Sequence, residues 1–247
     1  MASRASKMCI RILRTRLISN MKDDITIISL GGSLIMPEEV DAGFLSQFRE
    51  LILAQVEKGK KFIIITGGGK VCRKYQDAAK KVREMTSDEL DWLGIAATKF
   101  NAEFLRILFS DHADHLIITD PMLPVDFQKP IILGAGWKPG HSTDLDAVLL
   151  AKQVGGKRVL NLSNIDYAYD KDPNRFPDAK KLEKVSWAEY RALIPAEWNP
   201  GLSTPFDPIA SKLAEEEGME VAIMNGKNIA NLEKYLNAQE FVGTKIS

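Results

Sequence analysis

The chain has 247 residues, of which 45% are hydrophobic and 27% are charged, with 33 basic and 33 acidic side chains. This composition is typical of a globular protein with an ample core, and zero net charge gives no general case for binding nucleic acid or a membrane surface. No run of about 18 apolar residues occurs, and two cysteines are too few for a disulfide framework, so we expect a cytoplasmic protein without a membrane span.

The first 20 residues differ from the rest because they carry five positive charges and no acid. The five cations are Arg4, Lys7, Arg11, Arg14 and Arg16. An Arg-containing segment without acids is typical of a targeting peptide, and the alternative is a disordered extension or a start codon assigned too early. We favour the second interpretation, in which residues 1–24 precede a single domain at residues 25–247.

Short apolar runs rich in β-branched residues alternate with segments of helical period along residues 25–247. The apolar runs predict strands at residues 25–30, 62–66, 116–119, 130–133, 158–162 and 221–224. The helical periods predict helices at residues 41–57, 71–82, 87–108, 186–193, 207–217 and 228–236, and another from about residue 144. Irregular loops are expected at residues 167–178 and 199–203. The alternation predicts an α/β fold, with a mostly parallel sheet covered by helices on both faces.

Glycine-rich or polar loops follow four of the predicted strands, at residues 31–33, 67–70, 134–143 and 163–172. The carboxyl ends of parallel strands meet at one edge of a sheet, and ligands bind there. Glycine lets the backbone approach a ligand closely, and the start of a following helix presents N–H groups to an anion. Each loop alone could be an ordinary strand-to-helix turn, but together they predict one or two phosphate-bearing ligands.

Two cations near predicted helix N-termini are candidates for contact with phosphate. Arg73 lies in the first turn of the helix after the triple-glycine loop, where a cation opposes the helix dipole unless an anion is bound. Lys212 lies in the first turns of the helix at residues 207–217, and it is either a phosphate contact or a solvated lysine. Because phosphoryl transfer needs cations near the transferring oxygens, Arg73 and Lys212 are the catalytic candidates.

Other phosphate-binding and catalytic motifs are missing from the sequence. It contains neither the Walker A pattern nor the Rossmann glycine pattern after the first strand, and the protein-kinase signature set is absent. The three histidines lack metal-ligand spacing, so no protein-bound metal is predicted. Magnesium is expected to be held by nucleotide phosphates and water.

Five segments, in order along about 220 residues, resemble the amino-acid-kinase superfamily and, within it, the archaeal-type UMP kinases. They are Gly31-Gly32-Ser33, Gly67-Gly68-Gly69-Lys70 with Arg73, Pro139-Gly140-His141-Ser142-Thr143-Asp144, Ser163-Asn164-Ile165-Asp166 with Tyr169 and Asp172, and Asp207-Pro208 with Lys212. The resemblance implies a three-layer αβα sandwich that uses ATP and Mg2+ to phosphorylate UMP to UDP in pyrimidine nucleotide synthesis. It also implies a homo-oligomer built on dimers, up to a hexamer.

The resemblance further implies a role for each matching residue. The residues implied to bind ATP are Gly31, Gly32, Ser33, Gly69, Arg73, Ser163, Tyr169 and Asp172. The residues implied to bind UMP are Gly68, Asp91, Trp137, Lys138, Pro139, Gly140, His141, Ser142 and Thr143. In this assignment Asp91 would contact the UMP ribose, and Lys212 would help neutralise the transferring phosphoryl group.

The chain departs from the family pattern at three positions. Trp137 replaces a threonine in the implied acceptor loop, Tyr167 replaces a glycine, and Ser29 stands where many relatives in the wider superfamily carry a lysine. The first two departures leave the acceptor open, so a sister kinase acting on another small phosphate or carboxylate is a second hypothesis. A non-catalytic relative that binds a nucleotide or an oxyanion is the third.

Two sets of apolar residues are candidates for the core or for a subunit interface. The stripe on the predicted helix at residues 87–108 is expected to face the core and consists of Trp92, Ile95, Phe100, Phe104, Leu105 and Leu108. The second set, on the predicted helix at residues 41–57, could serve either the core or an interface and consists of Phe44, Leu51 and Leu53.

Overall fold

The computed structural model describes residues 25–195 and 204–247. The extension predicted at residues 1–24 and the loop predicted at residues 199–203 lie outside the described residues. Within the two described ranges, no helix combines the length and the apolar character that crossing a membrane requires.

A seven-stranded, mostly parallel sheet forms the centre of the fold, with strand order β3-β2-β1-β4-β8-β9-β7, and β5 pairs separately with β6. The described strands are β1 (Ile25–Leu30), β2 (Lys61–Thr66), β3 (Ile131–Gly134), β4 (Arg158–Ser163), β5 (Ala168–Tyr169), β6 (Lys181–Leu182), β7 (Lys184–Val185), β8 (Glu220–Asn225) and β9 (Thr244–Ile246). Neighbours in the large sheet are parallel except for the antiparallel pair β8 and β9. The strands β1, β2, β3, β4 and β8 therefore end at the same edge.

Helices cover both faces of this sheet. Those in the described residues are α1 (Gly32–Ile35), α2 (Ala42–Glu57), α3 (Gly69–Val82), α4 (Ser87–Leu108), α5 (Thr143–Val154), α6 (Trp187–Leu193), α7 (Pro208–Glu216) and α8 (Ile229–Leu236). Several begin after a side chain that accepts a free N–H of the first turn, as Asp41 does for α2, Ser142 for α5 and Asp207 for α7. Such caps fix where each helix starts.

The central strands are buried on both faces, so successive side chains enter two different cores. Ile28 and Ile64 pack with α2, α4 and α8 on one face, whereas Ile27 and Ile63 pack with α5, α6 and α7 on the other. Runs of isoleucine suit strands that are covered on both sides. The result is the three-layer αβα sandwich of the predicted α/β fold, and α3 lies against α4 with every residue at least partly exposed.

Several short elements differ from the predicted pattern. The strand predicted at residues 116–119 is wrong, because within the described chain this segment contributes a single bridge, between Ile118 and Gly134, and Leu116 is 79% exposed. α1, β5, β6, β7 and β9 were not predicted. They contain two to four residues each, too few for a period, and tertiary contacts such as the 2.8 Å bond from Ala168 N–H to Thr244 Oγ1 hold them.

The two apolar sets fall into different environments. Phe44 and Leu51 are 6% and 7% exposed and belong to the core, and Leu53 packs against it. The prediction for the α4 stripe is wrong in part, because Trp92 and Phe100 are 53% and 71% exposed. The apolar arc of α4 is wider than one contact with the sheet can cover, so its outer side remains on the surface.

Candidate active site

The two glycine loops after β1 and β2 pack backbone against backbone. The N–H of Gly67 donates to the carbonyl of Leu30 at 2.8 Å, which holds the second loop beside the first. A Cβ on Gly32 would lie 2.4 Å from the Gly67 carbonyl oxygen and the Gly69 amide nitrogen, and a Cβ on Gly69 would lie 2.4 Å from the Gly32 carbonyl carbon. Gly69 also has a φ of +64°. Only glycine fits on either side of this contact.

The packed loops bring two helix starts together at the carboxyl edge of the sheet. α1 begins at Gly32, after β1, and α3 begins at Gly69, after β2. The first N–H groups of a helix have no partner within it and carry the positive end of its dipole. The arrangement therefore offers an anion N–H groups from two neighbouring segments.

A cavity of about 610 Å³ opens beside these loops, and we call it the glycine-loop cavity. Among its lining residues, seven are implied nucleotide ligands: Ser33, Gly68, Gly69, Arg73, Asp91, His141 and Thr143. The other lining residues are Cys72, Gln76, Gly94, Ile95, Thr98, Gly136 and Asn164. Because Ser33, Gly69 and Arg73 are implied ATP ligands, the cavity brings residues of both implied sites together.

The start of α4 supplies a cavity wall, of which only Asp91 was predicted from the sequence. Gly94, Ile95 and Thr98 follow Asp91 at the spacings of one helix face, and they line the cavity with it. Thr98 Oγ1 donates to the Ile95 carbonyl at 2.7 Å and accepts the Gly136 N–H at 2.8 Å, so it ties this wall to the loop after β3. Helical spacing counted from Asp91 is the signal that could have found these residues.

Two carboxylates hold the loop that connects β3 to α5. Asp91 Oδ2 accepts the N–H of Gly140 at 2.8 Å, and Asp146 Oδ2 accepts the N–H of Trp137 at 3.1 Å. Burial raises the pKa of Asp146, and the neighbouring His141 is the main group that opposes this rise. The loop is thus fixed from α4 on one side and from α5 on the other.

Only part of this loop reaches the glycine-loop cavity. Gly136, His141 and Thr143 line it. Among the described residues, the implied UMP ligands outside its lining are Trp137, Lys138, Pro139, Gly140 and Ser142. The Trp137 ring instead packs edge to face on the His141 ring, with centroids 4.8 Å apart, and the Lys138 ammonium lies 3.8 Å from the Trp137 ring centroid. Ser142 caps α5.

A cluster of polar side chains lies where β1, β4, α5 and α7 meet. Asp144 Oδ1 accepts the Ser29 hydroxyl and the Asn161 amide, each at 2.8 Å. Asp144 Oδ2 accepts the N–H of Asp207 at 3.3 Å. Burial raises the pKa of Asp144 to about 6, although the Ser29 hydrogen bond opposes the shift. Burial also raises the pKa of Asp207, against the opposing N–H of Ala210.

A second cavity, of about 530 Å³, lies between the end of β4, β5 with the loop that follows it, and the end of α6, and we call it the hairpin cavity. Ser163, Tyr169 and Asp172, three of the implied ATP ligands, line it. Tyr167 also lies in its wall, and the Lys181 ammonium is 4.9 Å from the Tyr167 ring centroid. Tyr167, at which the resemblance implied a departure from the family pattern, is therefore part of this cavity.

Three further implied ligands line neither cavity within the described part of the chain. Gly32 is buried in the contact between the glycine loops, and the N–H of Gly31 donates to the Leu162 carbonyl at 2.8 Å. The Lys212 side chain is 63% exposed, and its ammonium lies 3.9 Å from the carboxylate of Glu216. The two glycines shape the loops, whereas Lys212 lies on the surface of α7.

The two cavities adjoin at Asn164, which lines both of them. They lie at the carboxyl edge of a mostly parallel sheet, beside the starts of α1 and α3. Fold and site therefore define an α/β protein with room for two ligands side by side at the edge where such sheets bind them.

Comparison with known proteins assigns the family. Residues 24–225 match the model of the Amino acid kinase family. This chain therefore belongs to the amino acid kinase family, and the family and the fold predicted from the five segments are confirmed.

Individual relatives match most of the chain. A uridylate kinase of Methanobrevibacter smithii is 30% identical over 231 residues, which cover 89% of this chain and 97% of the relative. A uridylate kinase of Methanocaldococcus jannaschii is 32% identical over 217 residues, with coverage of 84% and 94%. The crystal structure of a uridylate kinase from Archaeoglobus fulgidus matches with a TM-score of 0.77 at 26% identity, over 91% of this chain and 100% of that chain.

Proposed function

We propose that this protein transfers the γ-phosphoryl group of ATP directly and in line to UMP, giving ADP and UDP for pyrimidine nucleotide synthesis. The observation that carries the proposal is the pair of adjoining cavities, because phosphoryl transfer needs two anionic ligands side by side with N–H or cationic groups around the transferring oxygens. The uridylate kinases among the relatives support the acceptor. The broader predicted class, a nucleoside monophosphate kinase, is confirmed by these relatives.

The hairpin cavity is the proposed donor site. Ser163, Tyr169 and Asp172 would surround the adenosine, since an aromatic ring can stack on a base and a carboxylate can accept ribose hydroxyls. The ATP phosphates would extend past Asn164 towards the two glycine loops. There Ser33 and the backbone of the loops would meet them.

The glycine-loop cavity is the proposed acceptor site. Asp91, His141 and Thr143 offer hydrogen-bonding groups for the ribose, base and phosphate of UMP, and Gly68 lets the backbone come close. The Trp137 ring packs on the His141 ring and is not part of the described cavity lining. The tryptophan that replaces a threonine at this position therefore does not form the wall of the acceptor site. This placement supports UMP over the second hypothesis, a different small acceptor.

Charge stabilisation is proposed to come from the starts of α1 and α3 together with Arg73 and Lys212. Preorganised N–H groups and cations stabilise charge that develops on the transferring oxygens. Arg73 lines the glycine-loop cavity. The contact between Lys212 and Glu216 is an exposed ion pair of a kind that contributes little, so the ammonium can leave it for a phosphate.

Magnesium would enter this site with the donor nucleotide. Among the described residues, no three His, Cys, Asp or Glu side chains cluster as metal ligands, and the Asp144 carboxylate is occupied by neutral donors. This donor set fits an ion held by phosphate oxygens and water rather than a protein cage. Mg2+ would supply charge neutralisation of the phosphates.

The same site is proposed to work in a homo-oligomer built on dimers. Trp92, Phe100 and Ile107 lie on the outer side of α4 and are more than half exposed, at 53%, 71% and 56%. A row of exposed large apolar side chains on one helix favours contact with another protein surface. A second copy of the chain is the proposed partner.

The acceptor is tested by steady-state kinetics with MgATP and four acceptors, namely UMP, CMP, dUMP and isopentenyl phosphate. We expect UMP to give the highest kcat/KM, with UDP as the product. A higher kcat/KM with another acceptor would refute UMP in favour of a sister kinase. ATP binding without turnover of any acceptor would favour the non-catalytic hypothesis.

A further inference from the structure

A buried carboxylate of α5 faces the loop that connects β3 to α5 at two points. Asp146 is 1% exposed. Its Oδ2 accepts the N–H of Trp137 at 3.1 Å, and its Oδ1 lies 3.7 Å from Nδ1 of His141. Among the described residues, neither Oδ1 nor Nδ1 has a hydrogen-bond partner, although both atoms are buried.

Unpartnered buried polar atoms are rare, because each loses its hydrogen bonds to water. Here the two such atoms face each other, and both gain a partner if the imidazole moves by less than an ångström. The Trp137 ring packs edge to face on the same imidazole. These contacts limit the orientations that the His141 ring can adopt.

The contact between Asp146 and His141 affects the glycine-loop cavity, because only His141 of the two lines it. His141 lines the glycine-loop cavity, whereas Asp146 lies behind its described lining. In an imidazole, Nδ1 and Nε2 are separated by one carbon, and their hydrogen-bonding directions diverge. A ring with Nδ1 turned to Asp146 therefore has Nε2 available to a ligand in the cavity.

We propose that Asp146 is a positioning residue for the acceptor: it holds His141 with Nδ1–H directed at Oδ1, so that Nε2 meets the bound nucleotide, and it holds the Trp137 backbone behind it. The inference rests on the proposed function, since it takes the glycine-loop cavity as the acceptor site. Other charged groups near the imidazole are the Asp207 carboxylate, whose pKa is raised by burial with His141 among the groups that oppose the rise, and the Lys138 ammonium on the Trp137 ring. In the described structure, neither Asp207 nor Lys138 has a buried side-chain atom that lacks a hydrogen-bond partner.

A kinetic comparison of three variants tests the positioning role. Asp146→Asn and His141→Ala should each raise KM for UMP about tenfold, the size of one lost hydrogen bond to a charged group, and should leave KM for ATP unchanged. In the double variant the two effects should not add, because Asp146 acts through His141. Additive effects, or an equal rise in both KM values, would overturn the proposal.

The matched control is Asp114→Asn. Asp114 is also a buried carboxylate, 8% exposed, and it accepts the backbone N–H groups of His115 and Gln128 away from both cavities. It should alter stability without altering KM for UMP. A rise in KM for UMP in this control equal to that in Asp146→Asn would mean that loss of any buried carboxylate suffices, which would also overturn the proposal.

A second readout needs no turnover, and its wild-type arm needs no variant. The chain has three histidines, so long-range ¹H–¹⁵N spectra at alkaline pH, where imidazole is neutral, can assign the tautomer of each. Wild-type His141 should carry its proton on Nδ1, and Asp146→Asn should shift it towards Nε2. A wild-type ring protonated on Nε2 would overturn the proposal. An Nδ1 proton in a wild-type protein that neither binds nor turns over UMP would refute the proposed acceptor while supporting the contact, so the two failures are distinguishable.

Discussion

The Ser29 hydroxyl donates a 2.8 Å hydrogen bond to the Asp144 carboxylate and so joins the end of β1 to the start of α5. In the described structure the groups that donate to Asp144 are neutral, so little offsets the burial of its charge, and its pKa rises to about 6. The ionised form is therefore less stable in the folded protein than in the unfolded chain.

Asp144→Asn should change the pH dependence of stability. The folded-state pKa, about 6, lies above the ordinary value of 3.8, so the folded state binds the proton more tightly and the free energy of unfolding falls as pH rises between these values. Asparagine does not titrate there. The free energy of unfolding of the variant, relative to wild type, should rise by about 1–3 kcal/mol between about pH 4 and about pH 7.

Urea denaturation at a series of pH values measures this difference. The control is Asp126→Asn, an exposed aspartate, which should show no such trend. A difference between Asp144→Asn and wild type that stays constant with pH would contradict the account of Asp144.

Gly69→Ala should strongly lower turnover, an effect that backbone strain at a positive φ alone would not produce. Its Cβ would meet the Gly32 carbonyl carbon at 2.4 Å, so the two glycine loops must separate and turnover should fall about 100-fold. Gly59→Ala is the matched control, because Gly59 has a φ of +89° with open space around its Cβ position. It should cost about 1–2 kcal/mol of stability and leave kcat unchanged. Equal losses of turnover in the two variants would refute the loop contact as the reason for Gly69.

Arg73→Ala should lower kcat/KM about 100- to 1,000-fold, the range found when a preorganised charge-stabilising group is removed. The urea midpoint should be unchanged, since Arg73 is an exposed residue of α3. Lys80→Ala removes an exposed cation from the last turn of the same helix and should leave kcat/KM as it is. Unchanged kinetics in Arg73→Ala would remove the assignment.

Tyr169→Ala should separate the two substrates kinetically. Loss of the ring from the hairpin cavity should raise KM for ATP about tenfold and leave KM for UMP unchanged. Phe176→Ala removes an aromatic ring that is 45% exposed on the loop after β5 and serves as the control. A rise in KM for UMP alone would mean that the cavities are assigned the wrong way round.

Phe100→Glu should disrupt the proposed contact between copies. A carboxylate on the outer side of α4 would be costly to bury against a second apolar surface. Light scattering after size exclusion should show the assembly of the wild type reduced to smaller species, whereas Glu39→Gln, an exposed change far along the chain, should not alter it. An unchanged mass for Phe100→Glu would place any interface elsewhere.

The sequence predicted the parts of this fold that repeat regularly. Isoleucine-rich runs such as those of β1 and β2, and helices that start at caps such as Asp41 and Asp207, carry their signal locally. The strand predicted at residues 116–119 failed because this segment pairs with β3 only at Ile118, and an apolar run alone does not show how many of its residues will pair. The prediction that the whole apolar stripe of α4 faces the core failed in part, because periodicity identifies the apolar face of a helix but not which part of that face other elements cover.

For the candidate site, the glycine loops could be predicted because their residue type is itself the signal. The pairing of Asp146 with His141, and of Ser29 with Asp144, could not, because each contact joins segments that only the tertiary structure brings together. Lys212 could be placed near a helix start from sequence, but whether its side chain faces the cavity depends on the rotation of α7. Its proposed part in catalysis therefore depends on movement of the side chain.

The most direct test of the central claim is a matrix of initial velocities with MgATP and UMP varied together and UDP measured as product. If both cavities are filled at once and the phosphoryl group passes directly between them, double-reciprocal lines will intersect and one UDP will form for each ADP. Parallel lines would indicate a phosphorylated enzyme intermediate, and ADP without UDP would indicate hydrolysis; either result would contradict direct transfer to UMP.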